Sequence, residues 1–178
     1  MKRNVLVYGT ISGLISVIWV LIAMTVLPKN MHMTLGMVLG YTSMIIANIF
    51  LVVGVKNYRD KYNGGVITFG RAFTVGLLIA LIGSTIYVLT WLIYFFGVGT
   101  DFMEYYSNCM HQELVASGAS AVEIAKQDRE MQEFMISYQN PFFNAAVTYM
   151  EILPMGILFT LITALVMKRK VPKANHAN

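Results

Sequence analysis

The residue in this chain whose type and position could carry chemistry is Glu151. It is the only formally charged side chain in the apolar stretch from Phe142 to Met167. Its place in that stretch corresponds to a depth of about 14 Å, close to the middle of a bilayer core about 30 Å thick. A carboxylate at that depth is costly to insert and usually faces the interior of a helix bundle. With no cation at its level, burial favours the neutral acid, which can donate a hydrogen bond.

Polar side chains at a similar depth in the other apolar stretches could accept that hydrogen bond: Ser16, Asn48, Ser84 and Tyr87. Two interpretations of Glu151 follow. In the first it joins neighbouring helices through a hydrogen bond, worth about 0.6 kcal/mol on average in membrane proteins. In the second it is the proton or cation site of a small transporter. The first is favoured, because small residues spaced i, i+4 indicate a tightly packed bundle, and the second stays open.

A second group of residues has the donor types that suit Cu(I), namely thioether, thiol and imidazole. Its members are Met31, His32 and Met33, with Cys109 and His111 farther along the chain. Ordinary packing explains them better, because Met is a common apolar filler and this chain has 13 of them. The sequence therefore predicts no metal and no cofactor.

Catalysis would require a nucleophile or two titratable groups within reach of each other. Glu151 stands alone in its stretch, and Cys109 and His111 point to different faces of a helix. The chain also has no Gly-rich phosphate loop and no basic, aromatic surface for nucleic acid. We expect neither an enzyme nor a nucleic-acid partner.

Four long apolar stretches must position these residues. The chain is 57% apolar and only 12% charged, whereas a soluble domain has about 25% charged residues. A membrane-spanning helix needs roughly 20 apolar residues. The stretches that qualify are residues 5–27, 35–55, 73–98 and 142–167. The fold class predicted is all-α: an integral membrane four-helix bundle forming a single domain over residues 1–178.

The distribution of Lys and Arg predicts the orientation of the four spans. Ten basic residues fall in the N-terminus, the second connection and the C-terminal tail, and three fall in the other two connections. This places both termini and the tail, residues 168–178, in the cytoplasm. The third connection is then outside the cell membrane.

That outer connection, residues 101–140, is predicted to form a helical hairpin between spans three and four. Gly118 is placed to end the first helix. Ser120 and Glu123 have the spacing of a capping box, in which each side chain satisfies a free backbone donor of the other residue. The hairpin is expected to cap the outer end of the bundle, and a partner or ligand surface is the alternative.

The second connection carries four basic residues, Lys56, Arg59, Lys61 and Arg71. They are candidates for contact with anionic lipid headgroups, each worth about 1 kcal/mol. Setting the topology would explain them equally well.

Several short segments resemble a family of small four-span bacterial membrane proteins, the domain of unknown function number 4199. The segments are Lys56-Asn57-Tyr58-Arg59-Asp60-Lys61 with Gly64, Phe69-Gly70-Arg71-Ala72-Phe73, Gly118-Ala119-Ser120 and Glu151-Ile152-Leu153-Pro154-Met155-Gly156. The resemblance covers nearly the whole chain. It implies a location in the inner (plasma) membrane, and it implies no established activity and hence no catalytic residue.

The sequence therefore favours a non-enzymatic accessory or structural membrane component. The alternative is a small proton- or cation-coupled transporter that uses Glu151, and a weaker one is an extracytoplasmic Cu(I)-binding protein. Apart from the lipid bilayer, the partner is either a second copy of the chain or another membrane protein. The small-residue seam at Gly9 and Gly13 could serve a homodimer or the core of one chain.

Overall fold

A computed structural model describes residues 1–26, 33–97 and 102–168. Within these ranges 91% of the residues are helical and no strand is present. The helices are α1 (Lys2–Val26), α2 (Met33–Asn57), α3 (Phe69–Gly97), α4 (Phe102–Ala116), α5 (Ala121–Tyr138) and α6 (Pro141–Met167). One turn of π-helix, Tyr58–Tyr62, continues α2.

Four of these helices are long and apolar enough to cross a membrane: α1, α2, α3 and α6. This confirms the all-α fold class with four spans. The helices extend beyond the predicted apolar stretches by up to several residues. For example, α3 begins at Phe69, because the Thr68 hydroxyl accepts a hydrogen bond from the backbone N–H of Arg71 at 3.3 Å and thus caps the helix.

The described chain divides into two compact units, residues 1–87 with 150–178 and residues 88–149. The first unit contains α1, α2, most of α3 and most of α6. Its apolar core lies where α2 and α3 meet, with Leu51, Val55, Val75 and Ile79 all fully buried. Ala164 of α6 belongs to the same cluster.

Glycines bring the helices of the first unit close together on two sides of α3. A methyl group added at Gly9 of α1 would lie 2.7 Å from the Cβ of Ile82, and one at Gly13 would lie 2.9 Å from the Cβ of Ile86. On the other side, a methyl group at Gly156 of α6 would lie 2.9 Å from the Cβ of Ala80. The seam at Gly9 and Gly13 is therefore occupied by α3 of the same chain.

The second unit is held by aromatic side chains. The indole N–H of Trp91 donates to the hydroxyl of Tyr138 at 3.0 Å, and both residues are buried. Phe95 and Phe134 pack against the same tyrosine, with ring centroids 5.2 and 5.3 Å away. Phe134 also contacts Phe143 at the start of α6. This cluster ties α5 to the end of α3 and to the start of α6.

The predicted signals in the segment between spans three and four are present. Gly118 has φ of 77°, the left-handed conformation that ends α4. The Ser120 hydroxyl accepts from the backbone N–H of Glu123, and the Glu123 carboxylate accepts from the backbone N–H of Ser120 at 2.8 Å. These two bonds form the capping box at the start of α5. The side of the membrane on which α4 and α5 lie stays a prediction.

Candidate functional site

A small polar cavity lies between the four membrane-crossing helices of the first unit. Its volume is about 20 Å³, which is room for one water molecule. Each of the four helices contributes to its wall. The lining residues are Ser12, Ser16, Met44, Ala47, Asn48, Ala80, Gly83, Ser84, Ile152 and Gly156. We call this space the polar cavity.

The predicted polar residues Ser16, Asn48 and Ser84 come together in this cavity, and Ser12 joins them. Each of these side chains is less than a tenth exposed. Counting residues along each apolar stretch places all four at a similar depth. Ser12 was not included among the predicted site residues, although its spacing of four from Ser16 puts both on one face of α1.

The position of Glu151 is a correction to the sequence prediction. Its side chain is exposed on the surface of α6 and does not line the polar cavity. The buried face of α6 runs through Thr148, Ile152, Gly156 and Thr160, at intervals of four residues. Glu151 is one residue away from this stripe, which turns it by about 100°. It therefore does not lie among Ser16, Asn48 and Ser84 as predicted.

Apolar side chains surround Glu151 on the exposed face of α6. Met150 is 77% exposed and Leu158 is 50% exposed, and Pro154 is exposed between them. We call Met150, Glu151, Pro154 and Leu158 the α6 outer face. Tyr87, the other predicted partner of Glu151, is half-buried on α3 and does not line the polar cavity.

The four candidate lipid-contact residues differ in whether their side chains already bind other residues of the chain. Arg71 donates to the Tyr58 hydroxyl from Nε at 3.1 Å and from Nη2 at 2.9 Å. Its guanidinium also lies over that ring, 5.9 Å from the centroid. Arg59 pairs with Asp60 at 2.6 Å. Lys56 and Lys61 are exposed, so they are the two that project most freely for headgroups.

The candidate copper ligands fall in two regions. Met31 and His32 lie outside the described residues, as does the side chain of Met33. His111 Nδ1 is 2.9 and 3.1 Å from the two carboxylate oxygens of Asp128, which links α4 to α5. A hydrogen bond to the half-buried Cys109, together with burial, raises the pKa of the Tyr105 phenol. The part of the chain that the structure describes contains no group of three His, Cys, Asp or Glu side chains arranged to hold a metal.

Four long apolar helices, packed through glycines and bonded through serine and asparagine side chains, define an all-α multi-pass membrane protein. The chain belongs to the family described as protein of unknown function (DUF4199), whose model matches residues 7–169. This confirms the resemblance found in the short sequence segments. No curated protein and no solved structure matches the chain.

Proposed function

We propose that this protein is a non-enzymatic accessory component of the inner membrane that binds another membrane protein through the α6 outer face. The observation that carries this proposal is the exposure of Glu151 on a membrane-crossing helix. A carboxyl group at that depth requires a polar partner, because lipid tails offer none. The polar groups of its own polar cavity do not supply one, since Glu151 faces away from that cavity.

The chemistry of Glu151 favours a partner that brings a hydrogen-bond donor or a cation. Acidic residues in membrane spans typically pair with such groups. A second copy of this chain has no Lys or Arg in its four apolar stretches, residues 5–27, 35–55, 73–98 and 142–167. A homodimer therefore cannot place a cation against Glu151 at mid-membrane. We infer a different protein, with a membrane helix that carries Lys, Arg or His.

We also propose that both termini are cytoplasmic and that the protein is not an enzyme. The ten-to-three division of Lys and Arg supports cytoplasmic termini. The described acidic, histidine and cysteine side chains form one cross-helix pair, His111 with Asp128, which is exposed at the surface. Both side chains of the pair are more than two-fifths exposed, whereas catalytic groups usually lie in a cleft or cavity.

The size of the native complex tests this function. We expect the protein extracted gently from its own membranes to migrate as a complex larger than the monomer. Glu151→Ala should return it to the monomer, and Glu151→Gln, which keeps a hydrogen bond and loses the charge, should weaken the complex partially. Ile46→Ala is the matched control, because Ile46 is also exposed on a membrane-crossing helix but lies on α2.

Two results would contradict the proposal. One is a wild-type protein that is monomeric or forms complexes only with itself. The other is a complex that persists unchanged in Glu151→Ala. Intact-mass analysis under native conditions shows whether a complex contains only copies of this chain or another protein as well.

A transporter is the second candidate, and the polar cavity is the observation that favours it. A proton or cation path requires polar groups inside the bundle, and Ser12, Ser16, Asn48 and Ser84 supply them. Proton flux into liposomes that contain the purified protein would support this candidate if Asn48→Ala, a change in the wall of the polar cavity, abolished the flux. Cu(I) binding stays a weaker prediction, tested by copper titration of the purified protein.

A further inference from the structure

The hydrogen bonds around the polar cavity leave a particular pattern of donors and acceptors. The Ser12 hydroxyl donates to the carbonyl oxygen of Ala47 on α2 at 3.0 Å. The Ser16 hydroxyl donates to the carbonyl oxygen of Ser12 at 3.2 Å. Both protons are therefore committed to the backbone, and the two oxygen atoms retain lone pairs that can accept.

Asn48 has the same asymmetry. Its Nδ2 donates to the carbonyl oxygen of Met44 at 2.8 Å. Its Oδ1 points toward α6, where a methyl group added at Gly156 would lie 3.8 Å from it. Because Gly156 also lines the polar cavity, this amide oxygen is an acceptor at the cavity wall.

Ser84 differs from Ser12, Ser16 and Asn48. It is 5% exposed and lines the polar cavity. Within the described residues its hydroxyl makes no hydrogen bond. A hydroxyl that is largely removed from water needs a hydrogen-bond partner, and the polar cavity is the space beside this one.

We propose that the polar cavity binds one water molecule, which accepts a hydrogen bond from Ser84 and donates to Asn48 Oδ1 and to a serine oxygen of α1. The volume of about 20 Å³ fits a single water. Three hydrogen bonds are the typical number for a buried water. The water thereby links α1, α2 and α3. The described hydrogen bonds of Ser12, Ser16 and Asn48 all go to backbone carbonyl oxygens, and none joins two of these side chains directly.

A sodium ion is the other occupant that an acceptor-rich cavity suggests, and the surroundings argue against it. No carboxylate lines the cavity, since Glu151 lies on the α6 outer face. An uncompensated charge in a site of low dielectric is far more costly than a neutral molecule that satisfies the same oxygens. The Ser84 hydroxyl proton also has an acceptor in a water and none in a cation.

A double-mutant cycle tests the bridge. Ser84→Ala and Asn48→Ala should each lower the equilibrium constant for folding, and the double variant should cost less than the sum, because either change alone releases the water. For Ser84→Ala we expect a loss of roughly threefold, the average for one side-chain hydrogen bond in a membrane protein. Ser43→Ala is the matched control, since Ser43 is buried, donates to the carbonyl oxygen of Gly40 and does not line the cavity.

Additive effects of Ser84→Ala and Asn48→Ala would overturn the proposal. Salt substitution separates water from a cation: unfolding of the wild-type protein should be the same in sodium, potassium and choline chloride at equal ionic strength. Stabilisation by sodium that disappears in Ser84→Ala would show that a cation occupies the site instead. If the variants fail to fold, an experimental density map of the wild-type protein decides, because it must show one peak within hydrogen-bond distance of Ser84 Oγ and Asn48 Oδ1.

Discussion

The two units of this protein are stabilised in different ways. The first unit packs through small residues, with Gly9, Gly13 and Gly156 in close contact with neighbouring helices. The second unit packs through large aromatic residues gathered around Tyr138. In a membrane the hydrophobic effect does not drive helices together, so close backbone approach and hydrogen bonds must do so. The aromatic rings of the second unit supply large contact areas and edge-to-face packing instead.

The largest effect is expected from the aromatic cluster of the second unit. Trp91→Ala removes a buried ring and the hydrogen bond from its indole N–H to the Tyr138 hydroxyl. We expect a loss of roughly 3–5 kcal/mol in the free energy of unfolding. Ile93→Ala on the same helix is the control, since Ile93 is 75% exposed and should cost much less. Equal losses in the two variants, measured by denaturant titration, would show that the cluster does not stabilise the second unit.

The small-residue seam of the first unit should respond to added volume. Gly9→Ala places a methyl group 2.7 Å from the Cβ of Ile82 and 3.2 Å from a backbone carbonyl oxygen, so α1 must move away from α3. We expect a loss of roughly 1–3 kcal/mol. Gly40→Ala serves as the control, because a methyl group there meets nothing within 4 Å. A neutral Gly9→Ala would contradict the close approach of the two helices.

The smallest effect is a pH dependence confined to the start of α5. Hydrogen bonds from Ser120 lower the pKa of Glu123 from its ordinary value of 4.5. The folded state therefore favours the charged carboxylate, and its stabilisation is complete above pH 4.5 and is lost as the pH falls through the lowered pKa. The protection of the first-turn amides of α5 against hydrogen exchange, measured relative to their intrinsic exchange rates, should therefore decrease over that range.

Glu123→Gln provides the matched variant for this effect. Gln keeps the geometry of a capping box but cannot titrate. In this variant the protection of the first-turn amides, measured relative to their intrinsic exchange rates, should not change over the same pH range. The same acid response in both proteins would mean that Glu123 does not control the start of the helix.

The sequence predicted the positions of elements along the chain better than their rotation about their own axes. Hydropathy located the four crossings, and the Ser120–Glu123 spacing located the start of α5, because both signals are local. The depth of Ser16, Asn48 and Ser84 followed from counting residues, and these side chains do meet in one cavity. The depth of a residue along a membrane-crossing helix follows directly from its position in the sequence.

The direction in which Glu151 points could not be predicted in the same way. Apolar residues are distributed around the whole circumference of helix α6, so hydropathy does not distinguish its buried face from its exposed face. Rotation is set by packing against neighbouring helices. The relevant signal was the stripe of Thr148, Gly156 and Thr160, whose spacing marks the buried face and leaves Glu151 beside it.

Site-specific photo-crosslinking from the α6 outer face tests the central claim most directly. A photoreactive amino acid at Leu158 should give one discrete adduct in native membranes, and Glu151→Ala should abolish it, whereas the same probe at Ile46 should give none. Mass spectrometry should place the crosslinked peptide in a membrane helix of another protein that carries Lys, Arg or His. Adducts with lipid alone, or with a second copy of this chain, would contradict the account.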